Sequence, residues 1–207
     1  MNLTINDIRS WDPCYDPSEV LPENWQGTAL DILRMEEVPA ADRLWVVLRE
    51  ECIPARVLRL FAADCARRSL ARVENPDPAS LAACDVAERF ANGQATEEEL
   101  YAARSAASSA YYAADDAATA AHATAAYYAA AYYAAAESSA TATTLASAAT
   151  AAAESAEYAD DAADFYSAEA AAAERDAQVA KLIELIQEDR EAQVADMDEK
   201  PTSSPNA

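Results

Sequence analysis

The sequence predicts an all-α protein, with an N-terminal helical domain followed by long Ala-rich helices that form a helical hairpin or bundle. That expectation rests on three features. No run of alternating β-branched and polar residues of strand length occurs. Apolar residues recur at i, i+3, i+4 and i+7. From Gln94 to Lys200 there is neither proline nor glycine, and alanine, the strongest helix former, is abundant there.

The breakers divide the chain. Seven of the nine prolines and both glycines lie in residues 1–93, so that part reads as short helices joined by tight turns. The irregular stretch "WDPCYDPSEVLPENW" comes first: each proline holds the residue before it extended, and Asp-Pro initiates turns. Thr28 opens a helix with Asp31 three positions on, close to a capping-box pattern, and Ala29, Leu30, Ile32 and Leu33 supply its buried side. Pro39 suits the first turn of the next helix, where Leu44, Val47 and Leu48 recur beside Trp45. Pro54 does the same for "ARVLRLFAADCARRSLARV". Its inward face is Val57, Leu58, Phe61, Cys65 and Leu70, while Arg56, Arg59, Arg67 and Arg68 are expected in water. "DPASLAACDVAERFANG" is a further helix, stopped by Asn92-Gly93.

The second part, residues 94–195, starts at Thr96, which caps a helix with Glu99 completing a capping box. Alanine doublets follow at 102/103, 106/107, 113/114 and 117/118. Small side chains let helix backbones approach closely, so packing contact replaces buried area as the source of adhesion. Near its end, Val179, Leu182, Ile183 and Ile186 form a helical stripe that must pack against something. In one straight rod that stripe would stand about 120 Å from the first domain, at 1.5 Å per residue, and would need a second chain. A reversal near Glu137–Ser147, rich in weak helix formers, would bring it back instead. Residues 196–207 are expected to be a disordered tail.

The formal net charge is −22, the same sign as nucleic acids and anionic membranes. No direct nucleic-acid binding and no membrane are expected; a basic protein or nucleoprotein is the natural complement. The opening residues lack a basic start and an apolar run. The four cysteines have no CxxC spacing, which reads as buried thiols. A cytoplasmic location is expected.

The residues give little for catalysis. His122 is the single histidine, with no second histidine to share a metal or a proton. Two glycines rule out the common phosphate-cradling loops. No catalytic residue, cofactor or metal is expected. What does rise above background is charge: residues 97–174 hold 13 acids and one base, Arg104. Glu154, Glu157, Asp161 and Asp164 fall along one helical face with Asp160 beside them, and Asp115 and Asp116 precede them. A charge run is ordinarily a solvated face, but here compensating bases are missing. These seven acids are the expected partner-binding residues. Tyr127, Tyr128, Tyr132 and Tyr133 join them as aromatic anchors, with some rings filling gaps between helices.

"RSWDPCYDP…LPENWQGTALDIL…PAADRLWVVLREECI" resembles the opening of immunity proteins with an Imm-5-like domain, found in bacteria and phages. "LRLFAADCARR…DVAERFANGQATEEELYAARSAA" is similar to a module of the same family that runs into an Ala-rich helical repeat. The resemblance implies an inhibitor or antitoxin and carries no catalytic residues. Relatives often fill the repeat with Arg and Trp, whereas Asp, Glu, Ser, Thr and Tyr stand here. The expected function is a non-enzymatic acidic protein that neutralises a basic toxin, nuclease or host-defence complex, acting as a nucleic-acid mimic where the target binds nucleic acid. A second reading is a structural protein that self-assembles through its C-terminal helices into an oligomeric bundle or fibre.

Overall fold

A computed structural model describes residues 2–71, 75–113 and 168–199. Among these residues the protein is all-α, with seven helices and one two-stranded pairing. The pairing was not legible in the sequence: β1 (Leu3–Thr4) runs antiparallel to β2 (Gln26–Gly27), two residues each and too short to leave a pattern. α1 (Ile5–Ser10) follows at once, with Thr4 and Asp7 forming a reciprocal capping box.

The proline-rich stretch is held by charge. Asp16 caps a 3₁₀ turn at Pro17–Glu19, and Arg9 bonds both Asp16 and Glu23 at 3.0 and 2.9 Å. One guanidinium on α1 therefore pins both ends of the loop. α2 (Ala29–Leu33) carries the expected Thr28–Asp31 capping box. α3 (Ala40–Val47) and α4 (Ala55–Leu70) begin one position later than the prolines suggest. Pro39 and Pro54 keep extended ψ and sit at the N-cap, where a residue without an N–H leaves no donor unsatisfied. α5 (Pro78–Ala91) starts on Asp77, whose carboxylate accepts from the Ala79 and Ser80 N–H groups. It stops at Gly93, whose φ of 69° is open to glycine without strain.

α6 (Glu97–Ala113) packs on α5 through Leu100, Ala103 and Ala107. One member of each of the first two alanine doublets is thus turned inward: Ala107 is fully buried and Ala103 half-buried, while Ala102 and Ala106 are exposed.

α7 (Ala168–Glu199) lies against α4, α3 and α2. Val179, Leu182 and Ile186 are buried with Leu33, Val47, Val57 and Phe61, and Ile183 is half-buried against the same core. Leu185, which the stripe omitted, is buried too. With α6 packed on α5 and α7 on α4, α3 and α2, a single straight rod over 96–194 is excluded. The expected reversal at Glu137–Ser147 lies outside the described residues, as do residues 200–207 of the tail. Each of these buried aliphatic side chains contributes about 1.5–3 kcal/mol.

The four arginines of α4 are not left in water. Arg56, Arg59, Arg67 and Arg68 are all half-buried, because α5 and α7 cover the flanks from which they project. Arg56, Arg67 and Arg68 meet carboxylates there. Arg68 makes a two-pronged contact with Glu174 of α7 at 3.0 and 2.8 Å. Arg56 reaches Asp189 of α7 at 2.9 Å, and Arg67 holds Asp85 and Glu88 of α5. The thiols also divide: Cys65 and Cys84 are buried, Cys52 is half-buried and Cys14 is exposed.

Candidate functional site

The residues singled out for partner binding, Asp115, Asp116, Glu154, Glu157, Asp160, Asp161, Asp164, Tyr127, Tyr128, Tyr132 and Tyr133, all lie outside the described residues, as does His122. The described elements on either side do fix the electrostatic frame of that segment. On the N-terminal side, Thr96 and Glu99 form the expected reciprocal cap, and Glu99 accepts from Arg89 of α5 at 2.8 Å. Both contacts hold the Glu99 carboxyl below its ordinary range, the Thr96 backbone N–H first.

On the C-terminal side, α7 brings Glu174, Asp176 and Asp189 to Arg68, Arg43 and Arg56 of the first domain. Glu174 is almost fully enclosed, at 1% side-chain exposure. Arg9, Arg67 and Arg89 hold carboxylates of their own neighbourhood. Arg49 is engaged differently: its guanidinium lies 4.3 Å from the Trp11 ring centre and 4.7 Å from that of Trp45. Most cations of the first domain are thus already matched within the described body.

A cavity of about 250 Å³ opens on the same body. Ile8, Leu21, Ile32 and Leu44 form a buried floor, contributed by α1, the segment just after the 3₁₀ turn, α2 and α3. The mouth mixes apolar and polar groups: Val20 and Trp45 are exposed, and Tyr15, Asp42 and Arg175 line the opening. Tyr15 Oη donates to Asp42 Oδ2 at 2.8 Å. Burial, followed by the Asp42 hydrogen bond and charge, pushes the Tyr15 phenol up to about 12. At neutral pH it is therefore a neutral hydrogen-bond donor. The Arg49 stack holds Trp45 in place at the rim.

Burial raises the Cys52 thiol to about 11 and the Cys84 thiol to about 12, and holds the Cys65 thiol well above its ordinary value; reactive cysteines are shifted the other way. No group of three metal-ligating side chains converges among the described residues. None of their helices is long and apolar enough to cross a membrane.

No family model, curated protein or solved structure matches this chain. The likeness to Imm-5-like immunity proteins stands on the quoted residues alone. The cavity escaped the sequence reading because its walls come from five separate elements. The signals present were two: a Trp-and-Pro-rich irregular stretch, and Trp45 set beside a helical stripe it does not belong to.

Proposed function

We propose that the protein is a non-enzymatic acidic binder that neutralises a basic macromolecule, of the toxin, nuclease or defence-complex type that the Imm-5-like resemblance implies. One observation carries the reading. The acid excess of residues 97–174 has one base within it; Arg89 and Arg68 meet two of its acids, Glu99 and Glu174, while Arg43 and Arg56 are matched outside it, to Asp176 and Asp189. The remaining repulsion is relieved by a partner that brings cations. A nucleic-acid-binding target would meet that acidic segment where it meets phosphates, and electrostatic complementarity would speed the encounter.

Self-assembly through the C-terminal helices is the weaker reading. Val179, Leu182, Leu185 and Ile186 are buried in the chain's own core, so an assembly would have to use other residues.

The test is capture from a bacterial lysate on immobilised protein, eluted along a salt gradient. A variant with Glu154, Glu157, Asp161 and Asp164 changed to Gln or Asn is run beside it. A basic protein released from the variant at clearly lower salt supports the reading. Identical elution from both columns ends it.

A further inference from the structure

The cavity between α1, α2, α3 and the 3₁₀ turn has a size and a rim that define what it would take. At about 250 Å³ it falls just below the roughly 300–1,000 Å³ of sites for cofactors and drug-sized ligands. A single large side chain is the unit that fits. Its floor is aliphatic and buried, through Ile8, Leu21, Ile32 and Leu44, so the inserted group must be apolar. Its mouth is polar on two sides, which suits the peptide groups flanking such a side chain.

Asp42 uses one oxygen for Tyr15 and keeps acceptor capacity, since a carboxylate offers about four lone-pair sites. It can accept a peptide N–H. The lining holds one carboxylate, Asp42, and one guanidinium, Arg175. The protein as a whole is strongly acidic, at a formal net charge of −22, so cationic residues beside the inserted side chain are favoured. Exposed Trp45 and Val20 at the rim supply the apolar collar that excludes water around an anchor residue.

We propose that this cavity is a socket for one large aliphatic or aromatic side chain of a polypeptide partner, flanked by lysine or arginine. The proposal rests on the basic-partner reading above and adds to it a contact of defined chemistry, on the first domain rather than on the acidic segment. Charge draws the partner in, and the socket fixes where it sits.

The test uses the full chain, labelled with ¹⁵N, and three peptide probes: acetyl-Lys-Phe-Lys-amide, acetyl-Lys-Ala-Lys-amide and acetyl-Glu-Phe-Glu-amide. The expected result is saturable shifts at the Ala41 and Asp42 amides and the Trp45 indole N–H with Lys-Phe-Lys. The other two probes are expected to bind at least tenfold more weakly. Ala41→Trp fills the cavity and abolishes the response. Trp45→Ala removes an exposed ring, spares the core and weakens the response several-fold. Equal binding of the Phe and Ala probes, or shifts that map elsewhere, would overturn the socket. Equal binding of Lys-Phe-Lys and Glu-Phe-Glu would overturn its basic specificity. A silent socket with salt-dependent partner capture intact removes this proposal alone. A working socket with identical elution of the neutralised variant removes the acidic-segment reading and leaves the socket as the contact.

Discussion

Thr28 and Asp31 show how much a single turn can specify. The Thr28 hydroxyl accepts from the Asp31 N–H, and the Asp31 carboxylate accepts from the Thr28 N–H at 2.6 Å. Two of the orphan donors at the start of α2 are satisfied by two side chains. Thr28→Ala is expected to cost about 1 kcal/mol, read as a lowered thermal midpoint. The residue before it is as constrained: a Cβ on Gly27 would lie 2.6 Å from Trp25 Cζ2 and 3.2 Å from Asp31 Cβ. The obstacle is a large ring packed against the core, with little room to yield. Gly27→Ala is therefore expected to destabilise by about 1–3 kcal/mol, and near-ultraviolet circular dichroism would report the displaced ring. The cap was legible because its signature is local, Thr and Asp three apart. The glycine was not, because its reason is a neighbour whose position only the fold supplies.

At the scale of elements, α7 is the piece whose placement decides most. Its apolar stripe was legible from spacing, and so was its need for a partner surface. Which surface was not legible, since the nearest core contacts are more than a hundred residues away in sequence. The ion pairs across the α4–α7 seam were misread for the same reason: arginines on a helix look solvated until another helix arrives. Glu174 makes that seam demanding. Its side chain is almost fully enclosed, and Arg68 and the Gln178 amide both donate to its carboxylate. Arg68→Ala is expected to cost about 3–5 kcal/mol, because it removes the cation of a buried ion pair. Adding Glu174→Gln should recover part of the loss, and a double-mutant cycle on chemical denaturation measures the coupling. Leu182→Asp, at a position with no exposure, is expected to cost about as much or more, by burying a charge with no partner. An unchanged melt would mean that α7 does not dock in solution.

For the whole molecule, the balance of charge sets the response to salt and pH. With 37 acids against 15 bases, self-repulsion outweighs the individual ion pairs. The thermal midpoint is expected to rise between about 0.01 M and about 0.15 M salt, as the Debye length falls from about 30 Å to about 8 Å. Acid works in two directions. Asp7, Asp31 and Glu99 have lowered folded-state pKa values, through their capping partners. Their contribution is present above the unfolded carboxylate range, at about 4, and is lost as pH falls through the folded values. Asp64 is raised by burial, and its Oδ2 has no hydrogen-bond partner among the described residues. Its contribution is full below the unfolded value and is lost as pH rises through the folded one. Stability is expected to peak in mild acid and to fall steeply below about pH 4, as a series of melts across pH would show. The acidic segment itself was legible at this scale from composition alone, whereas the cavity, built from five elements, belongs to the assembled fold.

The return of α7 to the first domain also sets a schedule for synthesis. About 110 residues separate the end of α4 at Leu70 from Val179. At about 5–20 residues per second, the ribosome takes about 5–20 s to cross them. Throughout that interval Val47, Val57, Leu58 and Phe61 have been made, yet the helix that covers them has not. The nascent chain carries an unfinished, sticky surface for seconds, a substrate for holding chaperones and for mispairing with a neighbour on the same polysome. Chains arrested before Ala168 are expected to be cut readily by protease within α3 and α4, and chains carried past Glu199 with enough extra length to clear the ribosome to resist.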